Sequence, residues 1–323
     1  MSLVYAAPFL VLILCILIWF KSGRDTGGRK VIIAEYEPPT DLSPAEVGVL
    51  DDFKATDREI TATLVDLAVR GYISIERVPK TYQFTLLKDD VLDLKAHEKE
   101  LLDGLFGVAS AKLKSSIHSK LTSPEAIKKA QQYPALSSEM LIGKTVRLDQ
   151  LSSYFYQYVN NAKQSMFDNL MAAGYFASHP WTAGAPVYCL ALASFIASFW
   201  TSKDYQISLW ASATIFLICG ALMQSRSRRG TRAKEVVDGF KDFIQTAESS
   251  RINLTQTPNN ALGKTTVELY EKYLPYAIAL GIEGQWNSKF KNIYTEPIDW
   301  LARNPIDDIF ELTGTVSGIL SSD

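Results

Sequence analysis

Apolar and charged stretches alternate along this chain in a way that divides it before any motif is considered. No charged side chain occurs from Leu3 to Phe20, from Thr182 to Trp200 or from Ile207 to Ser225. Eighteen helical residues reach about 27 Å, close to the hydrocarbon thickness of a bilayer, and a charge at the bilayer centre costs roughly 2.5 to 3.5 kcal/mol. The pattern therefore predicts three transmembrane helices, over 3–20, 182–200 and 207–225. Only Thr201 to Gln206 separates the last two, which makes them a helical hairpin. Trp19, Phe20, Trp181, Trp200 and Trp210 fall at or near the ends of the runs, where amphipathic rings prefer the headgroup zone. The first run lacks a basic leader and a small-residue cleavage site, so it reads as a retained anchor.

Basic residues set the orientation. Lys21, Arg24, Arg29 and Lys30 follow the first run, and Arg226, Arg228, Arg229, Arg232 and Lys234 follow the third. The positive-inside rule places both flanks in the cytosol, so 21–181 and 226–323 are expected inside and the start of the chain outside. The apolar runs hold no charged residue to serve a coupling ion, which argues against a transporter.

Between 43 and 90 the period becomes helical and then alternating. Ser43-Pro44-Ala45-Glu46 offers an N-cap, a first-turn proline and a capping box, and Thr56-Asp57-Arg58-Glu59 repeats the box. Ile60, Leu64, Leu67 and Ala68 then mark one helical face until Gly71. Alternation over Tyr72 to Glu76 and Tyr82 to Leu86, around a turn with Pro79, predicts a hairpin. Helix, helix and hairpin outline a winged helix over 43–90. A second copy is expected over 94–178: a helix from Ala96 to Phe106, a strand from Thr145 to Leu148 and a helix from Leu151 to Ala173 ending at Gly174, with an insertion at 109–143 that includes a helix near Pro124 to Gln132 capped by Ser123. Asp66-Leu67 to Gly71-Tyr72-Ile73 echoes Asn169-Leu170 to Gly174-Tyr175-Phe176.

Residues 21–42 read as a juxtamembrane linker, 226–298 as a small helical cytosolic part and 299–323 as a tail. Val236, Val237, Phe240, Phe243 and Ile244 share a helix face over Ala233 to Thr246, and Thr265 to Glu268 offers a capping box for a helix running to Gly281 and bent at Pro275. Trp286 and Phe290 mark a last short helix. The expected fold class is a mainly α membrane protein: three transmembrane helices, a tandem winged-helix-like α+β cytosolic domain and a helical cytosolic C-terminal part.

Composition narrows the chemistry. The net charge of −2 gives no global attraction to nucleic acid. Cys15, Cys189 and Cys219 all lie in the apolar runs, leaving no CxxC pair or disulfide framework. His97, His118 and His179 are scattered without metal spacing, no glycine-rich phosphate loop occurs, and Asp51-Asp52 and Asp307-Asp308 read as solvated acids. Neither an enzyme nor a cofactor is expected. The would-be recognition helix from Ile60 to Arg70 carries only one Arg and one Asp, so it lacks the basic face that phosphate contact needs.

Tyr36-Glu37-Pro38-Pro39, Leu42 to Gly48, Thr61 to Tyr72 and Leu274 to Gly281, together with Trp286 and Phe290, resemble the YciQ-like predicted membrane proteins of bacteria, domain of unknown function 2207. The motif positions are Pro44, Glu46, Gly48, Gly71, Pro275, Tyr276, Gly281 and Trp286. The resemblance implies a prokaryotic plasma-membrane protein with cytosolic parts flanking a transmembrane hairpin, and it supplies no catalytic residues. Family members usually carry a signal peptide and an extracytoplasmic domain before the first span; here only Met1 and Ser2 precede Leu3, as expected of a shortened member or of a truncated gene, and the glycine- and serine-rich tail is reduced to Thr313 to Gly318. The lipid bilayer and a protein are the expected partners, in a scaffold or signalling adaptor. The alternative is a membrane-tethered winged-helix regulator that binds DNA.

Overall fold

The computed structural model describes residues 2–25, 27–28, 33–79, 81–107, 142–151, 153–178, 182–246, 262–290, 312 and 315. In chain order these form α1 (Ser2–Ile18), α2 (Pro44–Asp52), α3 (Asp57–Val69), β1 (Ile73–Val78), β2 (Thr81–Leu86), α4 (Ala96–Phe106), β3 (Thr145–Arg147), α5 (Ser153–Ala172), α6 (Ala185–Ala197), α7 (Lys203–Ala221), α8 (Arg228–Thr246), α9 (Leu262–Ala279) and α10 (Glu283–Phe290). Two compact units result: Met1–Ile33 with Leu170–Val236, and Ala34–Asn169 with Val237–Asp323. The helix expected near Pro124 to Gln132, Arg29, Lys30, Trp181, His118, His179 and Asp307-Asp308 lie outside the described residues.

The first unit is apolar. α1 and α6 each pack against α7, around Cys15, Val187, Ala191, Phe216, Cys219 and Met223. The expectation of three transmembrane helices is not met: among the described residues no helix is long and apolar enough to cross a membrane. An uncharged run is not the same length as a helix. The run at 182–200 yields only the 13 residues of α6, about 20 Å. It ends where Ser198 opens a 3₁₀ turn and donates its hydroxyl to the Phe195 carbonyl at 2.6 Å. α7 starts four residues before its uncharged run, taking in Lys203, Asp204, Tyr205 and Gln206, and stops at Ala221. α1 is 17 residues long and passes into a π-helical turn at Trp19–Gly23. The outside placement of the chain start depended on such crossing helices.

The second unit is built on α2 and α3, both packed against α9, with the sheet beside them. Both predicted capping boxes form, at Ser43 and at Thr56. Gly71 ends the α3 region with φ +73°, a conformation that costs an L side chain energy. The hairpin pairs Ile73 with Leu86 and Val78 with Thr81, burying Ile73, Ile75, Tyr82, Phe84 and Leu86. α9 begins at Leu262, so Thr265 lies within the helix rather than capping it, and the helix continues through Pro275 to Ala279.

The tandem winged helix is also corrected. The described residues hold one three-stranded antiparallel sheet in the order β1-β2-β3. β3, expected to serve a second copy, instead pairs with β2, Gln83 opposite Arg147 and Thr85 opposite Thr145. At the position echoing β1, Phe176 makes only an isolated bridge to Arg226. Among the described residues the echo is a shared helix ending, with Gly71 and Gly174 both at positive φ, and no second sheet accompanies it. The described residues are mainly helical with one small sheet.

Candidate functional site

Pro44 and Glu46 stand in the second unit at the N-terminus of α2. The Glu46 backbone N–H donates to Ser43 Oγ at 3.3 Å, and the Ser43 N–H donates to Glu46 Oε2 at 2.9 Å. Pro44 occupies the first helical position, where a missing N–H costs nothing. Glu46 is buried, and the same Oε2 receives the Lys95 ammonium as an ion pair, while Oε1 accepts from Asn169 Nδ2 at 3.4 Å. Lys95 also donates to the Asp41 carbonyl at 2.7 Å.

Lys95 stands just before α4, and its own N–H is taken by Glu98 Oε2 at 2.9 Å. Glu98, also buried, accepts from Arg70 Nη2 at 2.7 Å through Oε1, and the same guanidinium nitrogen pairs with Asp66 at 2.8 Å. A chain of alternating charges thus joins α2, α3 and α4. His97 lies inside it, fully buried, with Nε2 3.1 Å from Ser43 Oγ. The Tyr276 hydroxyl reaches the Leu42 carbonyl at 3.5 Å, and burial, reinforced by the nearby Asp66 charge, holds its proton on well above the usual phenol range.

Burial moves two groups across the acidic range in opposite directions. It raises the Asp66 carboxyl to about 6 against the pull of Arg70, and it lowers His97 to about 4 despite the neighbouring Glu98. Asp66 carries no penalty below about 3.8 and a growing one as pH rises towards 6. His97 carries none above about 6.5 and a growing one as pH falls towards 4. Between pH 4 and 6 these two slopes oppose each other. Asp66→Asn should leave the His97 slope alone, giving a protein that loses stability as pH falls from 6.5 to 4. His97→Gln should give the reverse, and urea midpoints measured every half pH unit separate them. Parallel profiles for the two variants would refute the assignment.

The remaining motif positions clamp α9 onto this region. A Cβ at Gly48 would lie 2.9 Å from the Ala279 carbonyl oxygen and 2.8 Å from Glu59 Oε1, so α2 and α9 meet backbone to backbone. Gly48→Ala should cost about 1 to 3 kcal/mol by overpacking, visible as a lowered urea midpoint with an unchanged slope. Gly281, at φ +67°, lies against Arg58, which pairs with Asp52 at 2.9 Å and with buried Glu59 at 3.1 Å. Trp286 is fully buried and donates Nε1–H to the Tyr270 carbonyl at 3.3 Å.

Sequence reasoning found Pro44, Glu46, Gly48, Gly71, Pro275, Tyr276, Gly281 and Trp286 as motif positions, held Asp66 and Arg70 only as members of the string Thr61 to Tyr72, and missed Lys95 and Glu98. The spacing of Lys95 and Glu98, an acid three residues after a helix start, was the available signal. Among the described residues no group of three His, Cys, Asp or Glu side chains could hold a metal ion. On α3, Ile60, Ala62, Leu64, Val65, Leu67 and Ala68 are all at most 1% exposed.

The basic residues of the first unit divide into two groups. Arg226 is buried and binds Asp25, through its N–H at 2.6 Å and its guanidinium at 2.9 Å. Arg229 donates to the Ala173 carbonyl at 2.7 Å at the end of α5 and lies 4.5 Å over the Tyr175 ring, where a cation favours a helix C-terminus. Lys21, Arg24, Arg228 and Arg232 are exposed, and Lys234 is half-buried.

A family model described as "Predicted membrane protein (DUF2207) C-terminal domain" matches residues 32–290. No curated protein and no solved structure matches the chain.

Proposed function

The chain belongs to the DUF2207 family of predicted membrane proteins, and from that premise we propose a non-catalytic adaptor whose apolar unit lies in lipid and whose polar unit binds another protein. The membrane is the bacterial plasma membrane, and the polar unit occupies its cytosolic side. Membrane association is supported by the large apolar side chains that the first unit exposes, among them Leu10 at 66%, Leu17 at 61%, Leu192 at 59% and Trp200 at 83%. Contiguous exposed apolar surface marks an interaction site rather than a water-facing one. The cytosolic leaflet is anionic, which suits exposed Lys21, Arg24, Arg228 and Arg232. That Ala34–Asn169 and Val237–Asp323 share one unit supports placing both on the same side.

The observation that carries the non-catalytic reading is the pairing of the buried carboxylates. Glu46 is held by Lys95, Glu59 by Arg58 and Glu98 by Arg70. General acid–base chemistry needs such a group within reach of a substrate proton, whereas these are spent on caps and ion pairs inside the fold. The DNA-binding alternative would need α3 in a groove, and α3 is packed against α9 and α2.

In-cell photocrosslinking from exposed positions of the full chain, followed by identification of the attached species, tests the proposal. Reproducible capture of one protein supports it. Capture of nothing specific, a chain that remains in the supernatant after lysis and high-speed spinning, or a detergent-purified chain that shifts duplex DNA with a steep salt dependence would each overturn it.

A further inference from the structure

Two of the three cysteines meet in the first unit. Cys15 of α1 and Cys219 of α7 stand 204 positions apart in the chain, yet Cys219 donates its S–H to the Cys15 carbonyl oxygen at 3.7 Å, and the two thiols also neighbour each other. Both are buried, at 3% and 7% exposure, whereas Cys189 of α6 is exposed. With the Cys219 sulfur already against the Cys15 backbone, a bond between the two sulfurs asks for side-chain rotation and not for a rearrangement of the helices.

The pair is buried but not sealed. Cys15 and Cys219 form the floor of a cleft of about 350 Å³ between α1 and α7, with Leu12 and Ile16 on one side and Ile218 and Leu222 on the other. These four wall residues are exposed, so the cleft is open to whatever surrounds the unit. Its volume lies at the lower end of small-molecule sites, which run roughly 300 to 1,000 Å³, and suits one substituted ring. No carboxylate, amine or hydroxyl lines it.

That lining selects the reagent. A thiol among apolar side chains stays protonated, which slows every exchange that needs a thiolate. A charged oxidant finds no partner on such walls to offset its lost hydration. A reagent that reaches and oxidises the pair is therefore small, apolar and able to take a proton with each electron. Quinones have all three properties.

We propose that Cys15 and Cys219 are a redox switch, which a lipid-soluble quinone entering the cleft oxidises to a disulfide that fastens α1 to α7. In this step two S–H bonds break and one S–S bond forms, while the two carbonyl oxygens of the quinone take up the two electrons and two protons and become the hydroxyls of the hydroquinone. The bond closes a loop of roughly 200 residues, a long closure of the kind that most restricts an unfolded chain. It holds α1 on α7 until a dithiol reductant reopens it.

The inference draws on the membrane reading above only for the source of the quinone, and the test separates the two. The full chain, in detergent micelles and in phosphatidylcholine vesicles, is treated without oxygen with decylubiquinone, whose ring has no C–H for a thiol to add to, or with glutathione disulfide. It is then denatured, alkylated with iodoacetamide and digested. Decylubiquinone should leave Cys189 alkylated and give a disulfide-linked peptide pair containing Cys15 and Cys219, with a single hydroquinone formed per chain. Glutathione disulfide should give about tenfold less of that pair. Cys219→Ser, which keeps the size and the donor to the Cys15 carbonyl, should stop hydroquinone formation, and Cys189→Ser should leave it unchanged. Alkylation of both Cys15 and Cys219 after quinone treatment, or equal oxidation by glutathione disulfide, would overturn the inference. Oxidation in micelles of a chain that never associates with the vesicles would overturn the membrane reading alone.

Discussion

Truncating Trp286 to alanine should destabilise the second unit by about 3 to 5 kcal/mol, the usual range for emptying a large aromatic from a core. Trp286 stacks on Tyr270 with the rings 2° from parallel, and Phe290 and Tyr273 approach its ring to 4.7 and 6.1 Å. All four side chains are at most 2% exposed, so no solvent can relax into the space left behind. α10 would lose its anchor, since Trp286 and Phe290 are two of its three buried residues. In a domain of this size the change corresponds to a fall of roughly 10 °C in the thermal midpoint, measured by far-ultraviolet circular dichroism because the mutation removes a fluorophore. A variant that melts within about 2 °C of the parent would show that the aromatic cluster is not the keystone of this unit. Trp286→Phe should fall between, losing the bond to the Tyr270 carbonyl and part of the volume.

Glu46→Ala should be the most damaging change among the charged residues, at about 2 to 3 kcal/mol. One component is the capping box, worth about 1 kcal/mol. The other is the ion pair with Lys95, whose full value as a buried pair is discounted because the lysine side chain is 34% exposed and can rehydrate. Glu46→Gln keeps an acceptor for the Ser43 N–H and loses only the charge, so its cost should be about half. The pair is coupled, so Glu46→Ala combined with Lys95→Ala should cost less than the sum of the single changes. Additive costs in urea unfolding would show that the Lys95 contact contributes nothing.

What could be read in the sequence was local. The boxes at Ser43 and Thr56 are satisfied within four residues, and the α4 bounds follow from an acid near its start and Gly107 at positive φ at its end. The motif positions were legible as strings, but not the reason for them, because Gly48 meets Ala279 and Gly281 meets Arg58 only after folding. β3 was legible as a strand and misassigned in partner, since Val146 finds Phe84 across more than sixty positions of chain. The helices of the apolar unit were misjudged for another physical reason. Lack of charge fixes which residues avoid water, while helix length is set by backbone events such as the turn at Ser198 and the π-helical turn at Trp19.

The place where β3 joins the sheet has a consequence for how the chain is held there. Lys144 Nζ donates to the Phe106 carbonyl at 3.1 Å, the Leu86 N–H donates to the Lys144 carbonyl at 3.0 Å, and the Gly143 N–H donates to the Leu86 carbonyl at 2.8 Å. The chain therefore leaves at 107 and re-enters at 142 through a narrow doorway whose two jambs are bolted together. Three hydrogen bonds thus tie the end of α4, the end of β2 and the approach to β3 into one closure.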